Sequence, residues 1–162
     1  MSIVIDGTGT ISGISATNGL SAPQTGSVLQ VVNATYSTEV QSSTNTFVDT
    51  GLTATITPKF STSKILVLIS QNGLQKSSSN TNIKVQLLRN GSVISTLENG
   101  ACYNASTSAN YIGGISANYL DSPSTTSALT YKTQTCSANN TAIISVQVNS
   151  ATSTITLMEI SA

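Results

Sequence analysis

From Ser27 onward, short strand-like runs recur at intervals of about ten residues with turn residues between them, and this rhythm narrows the fold more than any other feature. Val28–Val32 opens the series. In Leu52–Thr57 apolar residues alternate strictly with Thr, so one face is buried and the other is polar. Pro58 ends that run, because it lacks the amide donor that a ladder needs. Ile65–Ile69 is apolar without alternation, the pattern of a central strand covered on both sides. Ile83–Leu88 leads into Asn90-Gly91 and out through Val93-Ile94. Asn-Gly between apolar runs is a strong hairpin signal, since both turn positions take positive φ. Further strands are expected around Tyr111–Tyr119, Leu129–Thr135, Ile143–Val148 and Ile155–Ile160. Eight or nine strands and no helix follow, with Thr and Val plentiful and Glu, Lys and Arg scarce. The class is all-β, an antiparallel sandwich or barrel.

Residues 1–26 read differently. Ile3-Val4-Ile5-Asp6-Gly7-Thr8-Gly9-Thr10-Ile11-Ser12-Gly13-Ile14 is Gly-rich with isolated branched residues, and Ser21–Gly26 follows as a linker. Such a segment has too little apolar surface to fold alone, and its Ile residues point to docking on something else. It is expected to form an extended arm ahead of a β-sandwich domain over residues 27–162. Met1–Asp6 lacks the basic and long apolar stretches of a signal peptide.

Composition decides the function classes. Of 162 residues, 27 are Ser, 25 Thr and 14 Asn, whereas only 7% are charged and the net charge is zero. Six scattered Lys and Arg residues cannot make the basic footprint that nucleic acid requires, so no nucleic-acid partner is expected. No apolar run approaches the roughly 20 residues of a membrane span, so no membrane insertion is expected. Aromatic residues make up 4% and Trp is absent, so a monomer would have a thin core beneath a nearly uncharged surface. Association of identical chains answers both problems, and a homo-oligomer is expected.

The sequence offers little catalytic chemistry. Without histidine, no Ser-His-Asp or Cys-His arrangement exists. Cys102 and Cys136 lie too far apart in sequence for a zinc motif, and are either a disulfide or two small buried hydrophobes in a reducing compartment. The six carboxylates Asp6, Glu39, Asp49, Glu98, Asp121 and Glu159 are evenly scattered, which reads as solvated turn positions rather than a glycosidase pair. Ile5–Thr10 is similar to the Asp-x-Gly-Thr phosphate loops of sugar kinases. It lacks the helices of that fold and reads instead as a bend permitted by Gly. Catalytic, cofactor and metal residues are therefore expected to number none, and no enzyme activity is expected. Tyr36, Tyr103, Tyr111, Tyr119 and Tyr131 would form a platform for sugar rings if grouped, and otherwise are core or rim. Lys76–Asn82 is a polar loop able to contact a ligand. The Asn-X-Ser/Thr sites at Asn33, Asn90, Asn104 and Asn139 are expected by chance in so rich a composition.

Phe47–Pro58 followed by Ser61–Val67, with Leu87–Gly91, Leu120–Pro123 and Thr154–Ile160, resembles a recurring module of tailed-bacteriophage virion surface proteins. The likeness covers roughly residues 27–162 and is to tail-fibre modules of the cyanophage and marine-phage type. The opening Ile-Asp-Gly-Thr-Gly-Thr-Ile-Ser-Gly string also resembles starts of such fibre proteins. The resemblance implies a jelly-roll-like sandwich, usually trimeric, with no catalytic residues to transfer. It implies a virion structural protein, assembled in the host cytoplasm, that attaches to other virion proteins through its N-terminal arm. Distal loops of the trimer would then contact host surface polysaccharide, although no receptor-binding residue can be named. A capsid decoration protein that stabilises the head is the alternative, and a tail-borne polysaccharide-degrading enzyme the second alternative.

Overall fold

The computed structural model describes residues 4–5, 11–12, 23–105 and 110–162. β1 (Val4–Ile5) and β2 (Ile11–Ser12) pair with each other antiparallel, Ile5 opposite Ile11. The remainder of the expected arm up to residue 22, including Asp6–Thr10, lies outside the described residues. From Val28 onward ten strands form two antiparallel sheets. The smaller runs β5 (Val48–Ile56), β10 (Leu129–Ser137), β7 (Ile83–Arg89), β8 (Ser92–Ala101). The larger places β12 (Ser153–Ile160) between β3 (Val28–Tyr36) and β6 (Lys64–Lys76), with β9 (Asn110–Asp121) along the other flank of β6. The short strands β11 (Ile144–Val146) and β4 (Val40–Ser42) extend this sheet beyond the far end of β12. Among the described residues the one helical element is a 3₁₀ turn, Val148–Ser150. No helix of the described residues is long and apolar enough to cross a membrane.

The two sheets pack face to face in a sandwich-like arrangement. Period-two alternation builds the shared core: Leu52, Ala54 and Ile56 of β5 and Leu129 and Tyr131 of β10 meet Ile65, Val67 and Ile69 of β6 and Ile155 and Leu157 of β12. The expected alternation over Leu52–Thr57 holds, and the strand ends just before Pro58. Asn90 (φ 49°) and Gly91 (φ 84°) turn the β7–β8 hairpin with both residues left-handed, as their type requires. The expected strands are present, Ile143–Val148 only as Ile144–Val146 because Val148 opens the 3₁₀ turn, and β4 together with β1 and β2 in the expected arm are additional. The two-sided covering expected of Ile65–Ile69 is met on one side only. Ile65, Val67 and Ile69 are buried, whereas Leu66 is half-buried and Leu68 is exposed on the outer face.

A second apolar cluster, with Leu74, Ile83, Val85, Ile144 and Val146 at its centre, fills the other half of the sandwich. Between the halves lies a polar belt. The Ser153 hydroxyl accepts from the Gln71 amide (3.0 Å), the Gln147 amide (3.1 Å) and the Asn72 backbone N–H (2.9 Å). The Thr133 hydroxyl donates to the Gln71 carbonyl oxygen (3.0 Å) and shares a 2.5 Å hydrogen bond with Thr50. Gln71, Gln147, Thr50, Thr133 and Ser153 are all fully buried. Within β6 the ladder to β9 shifts around Gly73 (φ +63°), so Gln71 and Leu74, three apart, both point inward. A Cβ on Gly73 would stand 2.5 Å from the Val148 nitrogen, so only glycine lets this strand pass the 148–151 turn.

Candidate functional site

Strand register sorts the connections into two ends. Val28 and Lys64 both pair with Ile160, and Asp121 pairs with Ile65. Residues 23–27, the loops 57–63, 90–91 and 122–128, and Ser161 therefore share one end. There the chain entering the sandwich is pinned to its last strand: the Gly26 N–H donates to the Ser161 carbonyl (2.7 Å), and the Ser161 N–H donates to the Ser27 carbonyl (2.9 Å). The segments 43–47, 77–82, 102–105 and 138–143 belong to the opposite end.

Charge is unevenly divided between these ends. None of the four far segments contains Asp, Glu, Lys or Arg. Their Ser, Thr and Asn residues bind one another instead. The Thr141 N–H donates to the Ser43 carbonyl (2.6 Å), and the Asn45 N–H to Asn140 Oδ1 (3.1 Å). The Ala138 N–H donates to the Asn82 carbonyl (3.0 Å), Thr81 and Ser137 share a hydroxyl bond of 2.8 Å, and Asn139 Nδ2 donates to the Asn80 carbonyl. Three loops distant in sequence are thus stitched into one platform. The fourth is held from beneath, where the ammonium of fully buried Lys76 donates to the Asn104 carbonyl. The outward groups are neutral: exposed Asn80, Asn139 and Asn140, the Tyr103 ring, 61% exposed, and Ile143. Beside Ile143 a notch of about 150 Å³ opens between Gln41, Ser42 and Ser43. Such a surface can exchange neutral hydrogen bonds with hydroxyl-rich ligands and stack one aromatic ring on them.

The entry end uses its charges as ties. Arg89, at the end of β7, donates from Nη1 to both oxygens of Asp121 at 2.7 Å, and the fully buried Tyr131 hydroxyl donates to Asp121 Oδ2 at 2.6 Å. This joins one sheet to the other. Asp121 holds the Arg89 guanidinium above its ordinary pKa, while burial, reinforced by the Asp121 hydrogen bond, pushes the Tyr131 phenol up. Glu159, also fully buried, accepts from Gln30 Nε2 (2.6 Å) and from the Lys59 (2.7 Å) and Phe60 (3.3 Å) backbone N–H groups. Burial alone would raise its pKa. The nearby Ser63 hydroxyl, the Gln30 amide and the two backbone N–H dipoles outweigh that, and the carboxyl sits below the ordinary 4.5.

The reading of the carboxylates as solvated turn positions is therefore wrong for Asp121 and Glu159. Both sit on inward-facing strand positions, where bound donors replace water. They flank Ile65 from opposite sides, two strands apart, with their oxygens already engaged. Glu39 is exposed, with Gln41 donating to it (2.9 Å). Glu98 accepts the N–H groups of Asn99 (2.8 Å) and Gly100 (2.7 Å). Asp49 pairs with Lys132 at 2.8 Å on the outer face of the smaller sheet, where that contact holds its carboxyl below the usual range. Among the described residues no three His, Cys, Asp or Glu side chains converge as for a metal ion.

No family model and no curated protein matches the sequence.

Among the described residues the tyrosines do not assemble into a platform. Tyr131 is core, Tyr36 and Tyr119 pack against that core, and the Tyr111 side chain lies outside the described residues. Tyr103 alone among the described tyrosines is exposed, and it sits at the loop end. Cys102 and Cys136 are both buried and form no disulfide, which selects the buried-hydrophobe alternative. Asn33 lies on a sheet face, Asn90 in the hairpin turn, and Asn104 and Asn139 in the far loops. Lys76, expected at the start of the polar 76–82 loop, is instead the fully buried last residue of β6 and supports the platform from beneath. Its placement at the end of a long apolar strand, next to the polar 77–82 loop, was the available signal.

Proposed function

We propose that the chain is a structural protein of a tailed-bacteriophage virion, a homotrimeric tail fibre whose N-terminal arm attaches it to the particle. The carrying observation is the division of the two ends. The segment preceding Val28 enters at the end bound by Ser161, and the uncharged, internally bonded loop platform is opposite. Attachment through residues 1–26 therefore leaves the platform pointing away from the particle. A neutral surface of Ser, Thr, Asn and Tyr suits host polysaccharide hydroxyls, and three copies of a weak contact add through avidity.

The finer fold in this reading is a jelly roll. Two four-stranded cores ordered β3-β12-β6-β9 and β5-β10-β7-β8, connected across the sandwich, support it. In this reading no cofactor, nucleic acid, membrane insertion or catalysis is involved. Imaging purified particles with an antibody against residues 27–162 tests the proposal. Signal at the tail end supports it, signal spread over the head replaces it with a capsid decoration role, and absence from particles overturns both. Polysaccharide hydrolysis lost in Asp121→Asn or Glu98→Gln would instead establish a tail-borne enzyme.

A further inference from the structure

The two outer faces of the sandwich differ. The smaller sheet presents the Asp49–Lys132 ion pair, the Gln86–Gln134 hydrogen bond and Lys84. The larger sheet presents apolar and neutral groups, with Lys64 at one corner. Across it, directly paired residues fall into rows running from β3 to β9. The first is Val31, Met158, Leu66, Leu120. The second is Asn33, Thr156, Leu68, Asn118, and the third Thr35, Thr154, Ser70, Ser116. Val31 is 55% and Leu120 52% exposed, although Leu66 and Leu68 between them belong to an apolar run that reads as covered on both sides. Next to the apolar row lies an open hollow of about 310 Å³, lined by Leu68, Ser70, Asn118 and Thr156 among others.

We infer that a second and a third copy of this chain cover this face, the three copies closing a ring with their larger sheets turned toward a common axis along the strands. The inference specifies the interface of the homotrimer proposed above and rests on that reading. The rows argue for identical partners. Each begins and ends on the same chemistry: Val31 and Leu120, Asn33 and Asn118, Thr35 and Ser116. Because paired residues stand level along the strand direction, rotation about such an axis brings the β3 flank of one copy to the β9 flank of the next at the same height. Apolar then meets apolar, amide meets amide and hydroxyl meets hydroxyl. Contacts between unlike patches at equal height close into rings rather than growing into filaments. None of the twelve residues in these rows is charged, so covering the rows buries no charge, and Lys64 lies outside them at the corner. Four strands about 4.8 Å apart and about 27 Å long give a footprint of about 500 Å². Each copy meets two neighbours, so this flat area is about 250 Å² per contact, smaller than the roughly 800 Å² per partner of a standard interface, and pleating and the flanks enlarge it.

The test measures the mass of the full chain at about 10 µM by sedimentation velocity, with circular dichroism to check folding. The wild type is expected at three times 16.6 kDa. Val31→Glu and Leu120→Lys alone are each expected to fold and run as single chains. Combined in one chain, they place opposite charges at the facing flanks and restore the trimer. Thr55→Glu, on the other sheet's outer face, is expected to leave the mass unchanged. A wild-type monomer or dimer overturns the ring. Single variants that remain trimeric overturn the choice of face, and a double variant that stays monomeric overturns the flank pairing. Should the trimer behave as expected while no particle is labelled by the antibody, the virion reading fails and the interface stands.

Discussion

Removing the Glu159 carboxylate should loosen the entry end of the sandwich. Its two oxygens accept three N–H donors, at 2.6, 2.7 and 3.3 Å, from β3 and from the loop joining β5 to β6. Hydrogen bonds to a charged group contribute about 1.5–3 kcal/mol each. Lys59 and Phe60 are exposed, so water can reach their freed N–H groups, and the 3.3 Å bond is weak. The sum for Glu159→Ala is then about 3 kcal/mol rather than the upper limit, which for a domain of this size lowers Tm by roughly 6–12 °C. Glu159→Gln keeps the shape and one acceptor and should cost about 1–2 kcal/mol.

The pH dependence provides an independent check. The folded carboxyl titrates below the ordinary 4.5, so its contribution is complete above the unfolded value and disappears as pH falls through the folded one. The difference between wild type and Glu159→Gln should therefore be full at pH 7 and shrink below about pH 4. Urea unfolding at fixed protein concentration, read from midpoints at constant m, measures both effects. A Glu159→Gln midpoint within about 0.5 kcal/mol of wild type at pH 7, or a difference unchanged down to pH 3, would refute the reasoning.

Other substitutions probe other parts of the fold. Asp121→Asn should cost about 2 kcal/mol, because the Tyr131 hydroxyl is fully buried while Arg89 is partly exposed and can turn to water; denaturant midpoints give the value. Gly73→Ala should cost about 2–4 kcal/mol from left-handed strain together with the clash on Val148, and a loss under about 0.5 kcal/mol in the same assay would refute the tight passage. The buried thiols Cys102 and Cys136 should react slowly with a thiol reagent in the native protein and give two equivalents once unfolded. Burial pushes the Cys136 thiol up, so moderate alkalinity should not speed its native reaction as it would an exposed thiol.

Most strands were legible because their signal is local. Leu52–Thr57 and Ile155–Ile160 alternate with period two, and Asn90-Gly91 requires a left-handed turn wherever it stands between strands. The polar belt was not legible. Gln71 and Ser153 fall on the inward phase of their strands, but their polar side chains read as surface, and their burial is stabilised by mutual partners 82 positions apart. Asp121 and Glu159 misled for the same reason, since a charged residue alternating within a strand looks solvated until its donors are known. The shift at Gly73 reverses which residues face inward, so alternation cannot be carried across it. At the loop end, composition revealed polar, uncharged segments. What joins them is a set of hydrogen bonds between residues as far apart as Asn45 and Asn140, which no local pattern encodes.

The account centres on the division of labour between the ends, with entry end at the particle and loop platform outward. The most direct measurement places one epitope tag at the N-terminus and another within 77–82, and images both on purified particles by immuno-electron microscopy. The account predicts both tags at the tail, with the 77–82 tag farther from the particle. A 77–82 tag lying against the particle inside the N-terminal one, or both tags spread over the head, would contradict it.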